Sequence, residues 1–209
     1  MADQTQQPQM GLIDFARLVI DALETSGVDY MLAGALAVAA WAEARSTQDV
    51  DLVVHIPFEN IPLLSAELEK RDMLVPFDII LDLLLKSEGD LPVNAIHLYT
   101  GYKAELFLHR SGDTYRETAL ARRRLVDLGP PLGQVYVHAP EDLILNKLRY
   151  FGLSQQPKHI RDIISILLAI GDQLDMAYIE DWAARLGLTT LWGEVFDQAL
   201  ERARAVQAE

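Results

Sequence analysis

Cysteine is absent from the 209 residues, which excludes disulfide scaffolds, thiolate zinc sites and cysteine nucleophiles at once. Long apolar runs are missing too. The two longest, Met31–Ala42 and Ile163–Ile170, are broken by Gly34 and Ser165 and bounded by charge, well short of the roughly 18 apolar residues a membrane span needs. Basic charge is scarce: 18 Lys and Arg against 31 Asp and Glu leave a net charge of −13. That balance opposes nonspecific nucleic-acid binding, which relies on cationic side chains to displace counterions from phosphates. The Gln-rich start, Met1–Gln9, lacks the basic residues and apolar stretch of a signal peptide, so the expected chain is soluble and cytoplasmic, with no membrane partner. No Gly-x-Ser-x-Gly elbow is present, and the five histidines are scattered with no pair at ligand spacing on one helix, which disfavours esterase chemistry and zinc.

What remains is a chain half apolar and 23% charged, enough to pack a core. Leu12, Phe15, Ala16, Val19, Ile20 and Leu23 keep helical spacing up to Gly27. A short strand at Tyr30–Leu32 stops at Gly34, an Ala-rich helix follows over 36–44, and Asp49–Ile56 reads as a strand closed by Pro57. Helices are expected over 58–71 and 78–85, then a hairpin of 95–99 and 102–108 turning at Thr100 and Gly101. Thr114–Arg124 reads as a basic helix and Gln134–His138 as a strand; all that follows Pro140 is helical. The fold class expected is α/β, a mixed sheet flanked by helices and followed by a C-terminal helical bundle. The division expected is a disordered lead-in over 1–10, a core over 11–139 and a helical domain over 140–209.

Strand alternation puts Asp49, Asp51 and Val53 on one face and Val50, Leu52 and Val54 on the other. Two carboxylates side by side on an apolar strand repel, and a hard divalent cation such as Mg²⁺ would relieve them. Acid-x-acid pairs are no more frequent than this acidic composition gives by chance. The other two, Glu67/Glu69 and Glu88/Asp90, fall on a predicted helix and in a loop, where charge is simply solvated. In the second hairpin strand Lys103, Glu105 and Phe107 share a face, which makes Glu105 a third acid within an apolar strand. Three carboxylates on neighbouring strands suit phosphoryl transfer with two Mg²⁺ ions; a solvated edge strand is the plainer alternative. Gly34, where a strand turns straight into a helix, either offers backbone N–H groups to phosphate or merely makes a tight turn.

Leu32-Ala33-Gly34-Ala35, the short helix, and Arg45-Ser46-Thr47-Gln48-Asp49-Val50-Asp51-Leu52 resemble the signature of minimal nucleotidyltransferases of the polymerase β superfamily. Ala139-Pro140-Glu141-Asp142-Leu143 through Leu148, with Arg161-Asp162-Ile163, resembles the helical half of the AbiEii-type, toxin-like branch. The resemblance implies an enzyme that binds an NTP with Mg²⁺, two ions in all, and transfers the nucleoside monophosphate to an acceptor hydroxyl on RNA, a protein or a small molecule. It implies Asp49, Asp51 and Glu105 as catalytic residues and metal ligands. Gly34 and Ala35 would lie at the phosphates, Arg45 and Thr47 would support that turn or touch phosphate, and Lys147 and Arg161 would face the nucleotide. Lys147 reads equally as a snorkelling surface lysine.

Three departures stand out. Ala35 replaces the usual Ser or Gly, Glu105 the commoner Asp, and Ser165 a frequent Asp of the helical half. They motivate a second reading, a non-catalytic nucleotide-binding module or one half of a toxin–antitoxin pair with a cognate partner protein. Tyr115, Arg116 and Arg122–Arg124 form either a basic face toward RNA or triphosphate, or a solvated face balanced by local acids.

Overall fold

A computed structural model describes residues 10–86 and 90–207, with side chains as far as residue 205; the lead-in expected over Met1–Gln9 and the acid Glu88 lie outside the described residues. The chain opens with α1 (Leu12–Thr25), whose apolar stripe of Phe15, Ala16, Val19, Ile20 and Leu23 is fully buried, as its spacing predicts. Then come β1 (Asp29–Leu32), α2 (Gly34–Trp41), β2 (Asp49–His55), α3 (Ile61–Glu69) and α4 (Phe77–Leu85). The hairpin is β3 (Val93–Ile96) and β4 (Lys103–Leu108), followed by α5 (Thr114–Ala121), β5 (Arg124–Asp127) and β6 (Gln134–Val137). Four helices complete the chain: α6 (Pro140–Ser154), α7 (Pro157–Ile170), α8 (Met176–Arg185) and α9 (Thr189–Gln207).

The sheet runs β3-β4-β2-β1-β6-β5. β2 is parallel to β4 and β1 to β6, whereas β1/β2, β3/β4 and β5/β6 are antiparallel. A mixed sheet flanked by helices, with a helical C-terminal region, is thus the architecture. One face packs on α1 and α3 through Val50, Leu52, Val54, Leu106 and Leu108, all excluded from water. On the other face Met31, Ala33 and Val53 meet Ala119 and Leu120 of α5, with Phe107 at their edge. That smaller core covers only part of the face, and the remainder is where the acidic side chains stand.

One element departs from expectation. The basic helix predicted through Arg124 ends at Ala121, and Arg124–Asp127 is instead an edge strand paired with β6 from Arg124↔Val137 to Asp127↔Gln134. Asp113 caps α5 by accepting from the Arg116 N–H (2.9 Å). Proline opens both α6 and α7, where a missing N–H costs nothing, and left-handed Gln155 (φ 54°) turns one into the other. Among the described residues no helix is long and apolar enough to cross a membrane.

Candidate active site

The turn from β1 into α2 sets the geometry. The Ala33 N–H donates to the Asp51 carbonyl (2.8 Å), tying the turn to β2, and Gly34 takes a left-handed conformation (φ +58°). A Cβ added at Gly34 would fall on the Asp51 carboxylate, 2.5 Å from its Cγ and closer still to Oδ2. Only glycine meets both demands, the backbone angle and the space. No side chain caps the first turn of α2, and Ala33 and Gly34 line a cavity together with Asp51.

The parallel register of β2 and β4 sets Asp51 opposite Glu105, Asp49 opposite Lys103 and Val53 opposite Phe107. The three predicted carboxylates therefore share one face of two adjacent strands. Burial raises the Asp51 carboxyl above the usual carboxylate range, the charges of Glu105 and Asp49 raise it further, and Lys147 opposes the rise. Lys103 shares this face, as strand alternation predicts, and the register between the strands sets its contacts. Its Nζ lies 2.6 Å from Glu105 Oε1 and 3.5 Å from Asp49 Oδ1.

Asp51 and Glu105 floor a cavity of about 230 Å³ walled by Gly34, Lys147, Lys158 and His159. Lys147 is buried, not snorkelling: its Nζ donates to Asp162 Oδ2 (2.7 Å). Arg45 grips the same carboxylate from the other side, Nε to Oδ1 at 2.8 Å and Nη2 to Oδ2 at 3.1 Å. Asp162 on α7 thus pins both α6 and the loop that leads into β2. Burial pushes the Asp162 carboxyl up, but Arg45 and Lys147 together hold it below its ordinary value. Burial also lowers Lys147, and Asp162 recovers part of that loss. Thr47 shapes the same loop: its Oγ1 donates to the Asp49 carbonyl (3.1 Å).

The remaining candidates fall elsewhere. Ala35 is buried in the first turn of α2. Arg161 is exposed beside a separate hollow of about 580 Å³ shared with Arg45, Ser165 and Arg202, and does not line the carboxylate cavity. The predicted arginine face is largely spoken for by acids. Arg116 is buried, donating to Asp90 (2.8 and 2.9 Å) and to the Leu108 carbonyl (2.8 Å). Arg122 pairs with Glu141 and Asp142 and lies over the Tyr178 ring; Arg123 pairs with Asp29.

Sequence reasoning missed Asp162 as a hub, and it missed an aromatic wall. Tyr150 donates to Asp90 Oδ2 (2.7 Å), meets Phe107 edge-on and stacks on His159. Its position four residues before Ser154 on α6 carried no signal beyond helical spacing. His159 is lowered to about 4 by burial and by the neighbouring Lys147 and Lys158 charges.

A hard divalent cation suits this donor set, because every candidate ligand is a carboxylate oxygen and the Asp51 charge is poorly solvated. Among the described residues, however, no three acidic or histidine side chains converge closely enough to hold a metal by themselves. That is compatible with Mg²⁺, which is commonly held by one or two carboxylates together with substrate phosphates.

No family model matches the sequence, and no curated protein matches it. The likeness is to solved structures. The solution structure of the antibiotic-resistance factor ANT(2'')-Ia matches with a TM-score of 0.56 at 16% identity, covering 92% of this chain and 96% of that one. The crystal structure of ANT(2'')-Ia with adenylyl-2''-tobramycin gives 0.55 at 15% identity, over 83% and 98%. An antigenic nucleotidyltransferase-like protein from Paracoccidioides brasiliensis gives 0.52 at 21%, over 75% of each chain. These likenesses do not single out the AbiEii-type branch. What they share with this chain is the fold, a nucleotidyltransferase-like α/β fold.

Proposed function

We propose that the chain is a Mg²⁺-dependent nucleotidyltransferase that moves a nucleoside monophosphate from an NTP to an acceptor hydroxyl and releases pyrophosphate. One observation carries the reading: Asp51 and Glu105 stand in register on adjacent strands, beneath a glycine turn whose only tolerated residue lets a phosphate approach Asp51. Asp49 and Asp51 would hold Mg²⁺, which when bound neutralises phosphate charge and polarises the α-phosphorus for attack. The amides at Gly34 and Ala35 bind the outer phosphates, and Lys147 and Lys158 supply positive charge across the cavity. Phe107 and Tyr150 form the apolar wall against which a nucleobase rests. Glu105 orients the acceptor hydroxyl and draws its proton as the oxygen attacks.

The acceptor side is the open continuation of the same face. Antiparallel pairing sets Asn94 opposite Glu105 and Ile96 opposite Lys103, and both are exposed. An acceptor approaching Glu105 crosses these two side chains. A small-molecule hydroxyl compound fits this approach better than RNA, because Arg116, Arg122 and Arg123 are each engaged by carboxylates. A net charge of −13 also favours a cationic acceptor.

The test is label transfer. The protein is incubated with Mg²⁺, each α-labelled NTP in turn, and panels of hydroxyl acceptors (amino sugars, RNA and protein). Label appearing on the small molecules, and lost in Asp49→Ala/Asp51→Ala, supports the proposal. Nucleotide binding without transfer to any acceptor supports the non-catalytic binding module instead.

A further inference from the structure

Lys103 stands inside the acidic cluster because of strand register. It lies directly opposite Asp49 and two residues before Glu105, on the face both acids share. Its ammonium donates to Glu105 Oε1 at 2.6 Å and lies 3.5 Å from Asp49 Oδ1, so it bridges the two outer carboxylates. The cluster of Asp49, Asp51 and Glu105 with Lys103 then carries a net charge of −2, which one divalent cation would cancel.

We propose that Lys103 is a resident counter-cation, one that competes with the divalent cation for Glu105 and Asp49 and keeps cation binding weak until nucleotide phosphates enter. The inference rests on the nucleotidyltransferase reading above and specifies how its site is regulated. An oxygen held by an ammonium must give up that hydrogen bond before it can ligate a metal, so the two cations exclude one another. The lysine side chain is a third exposed and ends a flexible four-carbon stem, which lets it swing toward solvent when displaced. Among the described residues Asp51 makes no hydrogen bond or ion pair with this ammonium, so the nucleotide-bound cation has a fixed point of entry there. In the nucleotide-free protein the lysine holds β2 and β4 together at their acidic ends, where three carboxylates would otherwise repel.

The experiment uses Mn²⁺ as the probe and the full chain, at fixed ionic strength and neutral pH. Calorimetry and the electron-spin signal of unbound Mn²⁺ give the dissociation constant without nucleotide. Lys103→Met, which keeps the apolar stem, is expected to bind Mn²⁺ about ten-fold more tightly than the unmodified protein, and Lys103→Gln to follow it. Lys103→Arg should stay weak, and adding Glu105→Gln to Lys103→Met should remove the gain. Affinity unchanged or weaker in both Lys103→Met and Lys103→Gln overturns the proposal. A non-hydrolysable ATP analogue separates this from the underlying reading. If the unmodified protein binds Mn²⁺ only with the analogue, and Lys103→Met shows no gain, the lysine proposal alone fails. If no form binds Mn²⁺ with or without the analogue, both fail.

Discussion

Gly34 and Asp51 are in such close approach that no side chain can stand between them: a Cβ on residue 34 would lie 2.5 Å from the Asp51 Cγ. The turn that offers its amides to phosphate and the strand that carries the acids are therefore one device, locked by the Ala33 N–H to Asp51 carbonyl bond. Gly34→Ala is expected to lose about 1–3 kcal/mol of stability from its left-handed backbone alone. It should also lose transfer activity, because Asp51 must move aside. Urea unfolding together with nucleotide binding checks this, and a variant with unchanged midpoint and activity would contradict the geometry.

Asp162 joins Lys147 and Arg45, and with them the helical half to the loop entering β2. Asp162→Ala leaves Lys147 buried without its anion, and breaking a buried pair in this way costs about 3–5 kcal/mol. Replacing both buried members, Asp162→Leu with Lys147→Met, should recover most of that loss, since the one cation then left without its partner is Arg45, a third exposed to water. Denaturant titration of the single and double variants measures it. A double variant no more stable than the single one would show that the pair is not the source of the cost.

Much of this site was legible in the sequence, because it is built from local patterns. A strand ending at Gly34, a helix, and Asp49-x-Asp51 in an apolar strand specify the turn and the faces through period-two alternation, whereas the register that sets Asp51 opposite Glu105 comes from the sheet pairing. Glu105 followed from the same rule applied to the hairpin. What the sequence did not reveal depends on contacts between distant residues. β5 has three exposed positions of four and no alternation, so only its pairing with β6 makes it a strand. Arg116 looked like part of a solvated basic face, yet Asp90, 26 residues away, draws it inward. The Asp162 hub joins residues 15 and 117 positions apart. No spacing rule reaches that far.

Acidity should weaken the fold through His138, which is 2% exposed. Burial, aided by the Arg116 and Lys147 charges, lowers it to about 3, whereas an unfolded histidine titrates near 6.5. The unfolded chain therefore binds the extra proton first. The stability His138 contributes is complete above about pH 6.5 and is lost as pH falls toward about 3. His138→Gln should show a shallower fall in unfolding free energy between pH 6 and pH 4. Equal slopes in the two proteins would contradict the assignment.

Asn94 and Ile96 flank Glu105 and Lys103 on the open side of the sheet. Asn94→Ala and Ile96→Ala are expected to raise KM for the acceptor several-fold while leaving KM for the NTP unchanged. Steady-state kinetics with each substrate varied in turn makes the distinction. A rise in the NTP value alone would place the acceptor elsewhere.

The central claim concerns Asp51, and Asp51→Asn addresses it most directly. The substitution removes a poorly solvated charge from between Glu105 and Asp49, so the folded variant should melt at or above the temperature of the unmodified protein. Transfer of an α-labelled nucleotide to a hydroxyl acceptor in Mg²⁺ should nevertheless fall by on the order of 10³-fold, the loss of several kcal/mol of transition-state stabilisation. A stable Asp51→Asn protein that transfers label at the unmodified rate would contradict the account.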